Sequence, residues 1–535
     1  MLATSCVLVA TGCGTSANQA DDKGHRFQNA EITTDNAQPS APLIPGNTNE
    51  WAGGRLINLL FTGLISYDFE NMTPYNAVAE SITTTDSKVF TIKIRKGWKF
   101  HDGTEVKAHN FVNAWNYTAY GPNKQRNNSF LNKIEGYADL NPAVPSGQPA
   151  PRPKTDRMSG LEVIDDYEFK VTLSTPFSVF STMLGYWAFY PLPDSFFQNP
   201  AAFGRRPVGN GPYQFVELVP GSHQKLTAFM DYSGSLKPKV KDLTYRQFPN
   251  ADAVYTALKS GEVDFMETLP HKVIESGLHK TDLPGRYKDR TLLLMQYLTF
   301  PDYLPGYDNP DLRKAVSMAI DRKSIIERIG GTQEPADGLA LPGVQGYVEG
   351  QCGEFCTYNP DKAREHLAKS GFKGPLQLNT FAESDTGTWL AMVCESITTA
   401  LQIGCEDKND LKRQDFRMAV SQKKMTGAYR TDWRVDYPSL ENFLNPQFRT
   451  GASANESGFS SPRLDAALAA ADEAPNADAA MALYQKAERV AIEEMPVVPL
   501  WPEWSMYGWS HEIKNVHLSI QSELNVFDVQ VVEPR

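Results

Sequence analysis

From Val89 to Ile94 the chain reads VFTIKI, apolar and polar in alternation, the mark of a half-buried strand. His101 to Thr104 (HDGT) supplies the following turn, and VKAHNFVNAWNYTAY then brings Phe111, Ala114 and Trp115 to one helical face. Upstream, the apolar positions of NLLFTGLISYD predict a helix that ends at Gly63. A second strand signal covers Leu161 to Leu173, while KVKDLTYRQF and ADAVYTALKSGEVDF read as strand, helix, turn and strand. NPDLRKAVSMAIDRKSIIERI is expected as one long helix, with Asn309 as N-cap and Pro310 at its first position. YNPDKAREHLAKSGF repeats that Asn-Pro opening and ends at Gly371. TGTWLAMVCESITTALQIGCE predicts a helix and then a strand, and a last helix runs from SPRLDAALAAADEA through AMALYQKAERVAIEEM. Strands and helices alternate throughout, so the class is α/β with mixed sheets. Residues 141–158, rich in proline and polar side chains, read as an exposed loop, and no fixed-period repeat is present.

At 535 residues the chain is too long for one core and implies about three or four structural units. Hydrophobic content of 41% and charged content of 21% are ordinary for a globular protein. A net charge of -11 argues against nucleic acid as the main partner. No run of 18 apolar residues is long enough to span a bilayer. A hydrolase would be expected to show a G-x-S-x-G elbow or an H-E-x-x-H helix, and neither occurs. The nine histidines are scattered without metal-ligand spacing, so neither a metal nor a cofactor is expected. Past the N-terminal stretch four cysteines remain, Cys352, Cys356, Cys394 and Cys405. Three disulfide pairings are open, the local one being the simplest, and the rival use of the C-x3-C pair is as metal ligands.

The N-terminus, MLATSCVLVATGCGTSANQADDKGHRFQ, resembles the lipobox of bacterial lipoproteins, with Cys13 as the acylated residue and Cys6 as a second candidate. Ala10 replaces the usual leucine, and no basic residue precedes the apolar stretch. The polar run from Gly14 to Gln28 has the composition of a flexible tether.

Six segments in order then resemble one family. They are Ala79 to Trp115, PVGNGPYQF (Pro207 to Phe215), ALKSGEVDF (Ala257 to Phe265), Asp311 to Ile326, Tyr358 to Phe372 and the W-x-x-D of Trp433 to Asp436. Together they are similar to family 5 of the bacterial solute-binding proteins, the oligopeptide- and dipeptide-binding components of ABC importers. That resemblance implies a two-lobed periplasmic-binding-protein-like fold, class II type, cluster C, with an extra domain inserted in the first lobe. The layout it implies gives residues 1–28 to signal and tether, 29–68, 180–285 and 500–535 to the first lobe, 69–179 to the inserted domain and 286–499 to the second lobe. It further implies an extracytoplasmic, lipid-anchored monomer that delivers oligopeptides to a membrane permease and catalyses nothing. Other members of the fold carry oligosaccharides, haem, glutathione or metal complexes. Most of the signature is expected to serve the fold: Gly209 and Gly211 as a tight turn, Gly97 and Gly103 as strand ends.

A peptide leaving water needs a carboxylate for its α-amine, a cation for its carboxylate and partners for its backbone. By resemblance, Asp436 takes the α-amine and Trp433 walls a side-chain pocket. Arg430 is placed near the ligand's carboxylate end, and Arg434 lies where backbone contacts to the peptide are made. Asn49, Glu50 and Trp51 align with the segment that runs beside the peptide. Asp436, two residues before Pro438, is equally placed to accept a hydrogen bond at a helix start. Arg430 and Arg434 have Asp432 and Glu441 as possible surface partners, and Tyr429 and Phe443 are read as core.

Overall fold

The computed structural model describes residues 30–144, 149–382 and 386–532. Cys6, Cys13 and the tether lie outside the described residues.

Ten strands share one mixed sheet. From one edge the order is Cys405–Leu411, Leu376–Phe381, Ala428–Arg434, Tyr287–Thr299, Val497–Trp509, Phe265–Met266, Glu31–Asp35, Asp242–Arg246, His223–Ala228 and Tyr213–Val219. Two strands of 13 residues, Tyr287–Thr299 and Val497–Trp509, run antiparallel through its middle. Their pairing is interrupted between Thr291 and Met295. On one side of the break Phe265 pairs with Trp509; on the other, Met295 pairs with Trp433. The same two strands therefore belong to both lobes and cross between them.

One hydrophobic core includes Leu298, Val316, Leu390, Ile397 and Trp501. A separate antiparallel sheet of four strands, in the order Ala79–Thr83, Val89–Ile94, Glu168–Thr172, Leu161–Asp165, packs beneath the helix Ala108–Ala119. Phe111 and Trp115 of that helix meet Phe169 at 5.9 and 5.6 Å between ring centroids. The single strand expected over residues 161–173 is thus a hairpin of two strands.

Both long helices expected from periodicity are broken. Residues 310–328 form Pro310–Ala319 and Arg322–Arg328, the second capped by Asp321, whose side chain accepts from the Ser324 N–H. Likewise Pro462–Asp472 and Ala477–Glu494 are separated at Pro475, and Asn476 caps the second. In each case a polar side chain competes for the backbone donors and restarts the helix.

Gly209 and Gly211 are required by close approach. A Cβ on Gly209 would lie 1.8 Å from the Leu60 carbonyl oxygen, and one on Gly211 would lie 2.5 Å from that of Leu59. Neither has a positive φ, unlike Gly97 at +78° and Gly103 at +85°. The signature around Trp98 and His101 grips this loop. Trp98 Nε1 donates to the Asn210 carbonyl (3.1 Å), and Gly209 N–H donates to His101 Nδ1 (3.0 Å). Disulfides join Cys352 to Cys356 and Cys394 to Cys405, the local pairing. No helix of the described residues is long and apolar enough to cross a membrane.

Candidate functional site

Where the chain leaves the strand Ala428–Arg434 it borders a cavity of about 700 Å3, whose lining also includes the start of the helix Trp51–Leu60. The wall is strongly aromatic, with Tyr67, Trp98, Tyr186, Trp187, Tyr190 and Tyr232. Such walls take apolar and ring-bearing groups at little cost. The charged groups that line it are Glu50, Arg95, Arg434, Asp436 and Glu523.

Asp436 is half-buried beside the fully buried Val435 and Tyr437. Its N–H donates to Asn442 Oδ1 (3.0 Å), and Asn442 Nδ2 donates back to Asp436 Oδ2 (3.2 Å). Among the described residues no basic side chain pairs with it. Burial pushes its carboxyl up to about 7; the Asn442 hydrogen bond opposes this and the Glu441 charge adds to it. A carboxylate held in this way gains most from a cation that enters the cavity. Asp436 does not act at the helix start, because Ser439 caps Leu440–Phe448 by accepting from the Glu441 N–H.

Arg434 lies over the Trp51 ring, 4.2 Å from its centroid, and donates to the Gln521 carbonyl (3.0 Å). Burial lowers its pKa against the pull of Glu267 and other acids, and it bridges the strand Ala428–Arg434 to the helix Trp51–Leu60. Glu50 accepts twice from the Gly53 N–H (3.0 Å each) and caps that helix, and Asn49 accepts from Arg126 (3.2 Å). Trp51 Nε1 is buried without a partner.

Asn49, Glu50, Trp51, Arg434 and Asp436 are thus brought to one cavity, whereas Trp433 and Arg430 are not in its lining. Trp433 packs on the core and donates to Asn442 Oδ1 (3.2 Å), the same oxygen that receives the Asp436 N–H. It holds Asn442, and Asn442 holds Asp436. Arg430 pairs with Asp432 and donates to Gln296 Oε1 (3.0 Å), within a polar row that Gln296 continues to Glu503 (2.6 Å). Asn442, Glu523 and the aromatic wall went unidentified from the sequence. The run YWAFY at 186–190 is a visible aromatic cluster; nothing local marks Glu523.

Residues 73–455 match the model of the bacterial extracellular solute-binding proteins, family 5 middle. Over 529 residues the chain is 24% identical to the oligopeptide-binding protein OppA of Bacillus subtilis, covering 94% of this chain and 92% of that one. It is 25% identical to the glutathione-binding protein GsiB of Pectobacterium atrosepticum, with 92% of each covered. The murein tripeptide binding protein MppA of Escherichia coli superposes with a TM-score of 0.76 at 21% identity, over 95% of this chain and 99% of the other. The chain belongs to family 5 of the bacterial extracellular solute-binding proteins.

Proposed function

We propose that the protein captures oligopeptides by their free N-terminus in the cavity between its lobes and delivers them to the permease of an ABC importer. The observation that carries this is Asp436: a half-buried carboxylate opening into an aromatic cavity and held by a single side-chain amide. An α-ammonium placed there replaces lost water with a charge-assisted hydrogen bond. At about 700 Å3 the cavity falls within the ~300–1,000 Å3 typical of small-ligand sites. Relatives named for oligopeptide and murein tripeptide binding support the same class. Binding without catalysis is the role, and Cys13 would carry the lipid that holds the protein at the outer face of the membrane.

Calorimetric titration with Ala-Ala-Ala and its N-acetyl derivative tests the reading. The free peptide is expected to bind at least about thirtyfold more tightly, since an unpaired buried charge costs about 2–5 kcal/mol. Equal affinity would remove Asp436 from the role. Glutathione belongs in the same series because one relative is named for it and because it carries a free α-amine. If glutathione alone binds, the site is dedicated to that tripeptide.

A further inference from the structure

Glu523 is the second carboxylate in the cavity wall that no cation neutralises. It lies half-buried on the C-terminal segment, far in sequence from Asp436. Asn58 Nδ2 donates to its Oε1 at 2.9 Å. Among the described residues no basic side chain forms an ion pair with it. The two nearby arginines are engaged elsewhere. Arg55 pairs with Glu267 (3.1 Å) and donates to the Asp35 carbonyl, and Arg434 holds the Gln521 carbonyl beneath Trp51. Burial raises the Glu523 carboxyl; Glu267 reinforces this, while Asn58, Arg55 and Arg434 act against it, and the balance stays upward. Glu50, the remaining carboxylate in the lining, has both oxygens committed to a helix cap.

Glu523 and Asp436 share that cavity with the tyrosine wall. Tyr190 is raised by burial and then by Glu523; Tyr67, beside it, is raised by burial, then by Tyr190 and Asp436. Both carboxylates and both tyrosines line the one cavity, and Asn58, which donates to Glu523, accepts from the Tyr190 hydroxyl at 3.5 Å. A ligand with only an α-ammonium satisfies Asp436 and leaves Glu523 desolvated and unpaired, which is unfavourable. A ligand with a second cation satisfies both.

We infer that Glu523 forms a subsite for a basic side chain, and that the protein selects peptides carrying lysine or a similar amino-bearing residue within reach of the N-terminus. This rests on the N-terminal reading of Asp436, and the two are separable. The test is titration of the full-length protein with Ala-Ala-Ala, the three peptides that place one lysine at each position, and matched peptides with uncharged norleucine. At least one lysine peptide should bind about ten- to a hundredfold more tightly than its norleucine partner. Glu523→Gln, which preserves the acceptor for Asn58, should abolish that difference, and Ala-Ala-Ala should bind it at least as tightly as the unaltered protein because no carboxylate is left desolvated and unpaired. Neutral and lysine peptides of equal affinity on the unaltered protein would overturn the subsite and leave the peptide reading standing, as would a lysine preference that survives in Glu523→Gln. Failure of every peptide to bind would end both.

Discussion

Asp436 and His101 titrate in opposite senses, and the difference can be measured. The folded protein raises Asp436 from 3.8 to about 7, so between those values the native state holds the proton and the unfolded chain does not. Stability is therefore lost as pH rises through that window. Burial depresses His101 from 6.5 to about 4, where its ring accepts from the Gly209 N–H and contacts the Gly211 carbonyl. Its contribution is present above 6.5 and lost as pH falls toward 4. Asp436→Asn removes only the first effect. Without ligand, the variant should melt above the unaltered protein at pH 8 and level with it near pH 4, by differential scanning calorimetry. Ligand capture shows the converse. Below pH 7 a peptide must displace the Asp436 proton, so affinity should fall about tenfold per pH unit, and the slope should vanish in Asp436→Asn. A pH-independent affinity between 5 and 7 would contradict this. At this scale the sequence was informative where a motif fixed the side chain to a strand end, as at Asp436. It was silent on Asn442, six residues on and placed by the turn before its helix, and on Glu523, whose partner Asn58 is met only in the fold.

Elements were predicted well where one face met one core, and badly where two successive helices shared it. Leu312, Val316, Ile325 and Ile326 are all buried, so apolar periodicity runs through the break at Asp321 without a signal. What fixes the break is Arg322. Its guanidinium is buried and donates to the carbonyls of Ser317 (2.9 Å), Pro499 (2.9 Å) and Cys356 (3.2 Å). Burial lowers its pKa to about 9, still cationic at neutral pH. Arg322→Ala would orphan these carbonyls and should cost about 3 kcal/mol in urea unfolding, with unchanged peptide affinity because the cavity is elsewhere. A loss below about 0.5 kcal/mol would show that water replaces the guanidinium. The disulfide Cys394–Cys405 ties the helix Thr386–Leu401 to the edge strand Cys405–Leu411. Cys394→Ser with Cys405→Ser should destabilise by about 2–3 kcal/mol, as expected for a loop this short. Four cysteines alone left three pairings open; the choice depends on where helix and strand pack.

At the scale of the molecule, a peptide can enter a cavity bounded on several sides only if the lobes part. The interrupted crossing of Tyr287–Thr299 and Val497–Trp509 is the natural hinge. The two-lobed plan followed from six motifs in order, but contacts between the segments expected to form the inserted domain and the second lobe are long-range and leave no sequence pattern. One is Lys133, beside the four-stranded sheet. Its ammonium reaches Asp472 Oδ2 at 2.8 Å, at the end of the helix Pro462–Asp472, and stands 4.7 Å from the Phe177 ring centroid. Ser87 adds a hydrogen bond to the Pro475 carbonyl (3.2 Å) nearby. Asp472 also accepts from Arg449 (3.0 Å), Asn445 (2.7 Å) and Tyr484, so it remains neutralised and bonded when Lys133 is removed. Lys133→Met, which preserves the apolar stem over Phe177, should therefore leave each lobe folded while it weakens their contact. Small-angle scattering without ligand should show a larger radius of gyration, and peptide affinity should drop about five- to tenfold through faster release. Unchanged scattering and release would mean that closure is held by the apolar contact around Phe177 and the Trp51–Arg434 stack, and that Lys133 serves only the local fold.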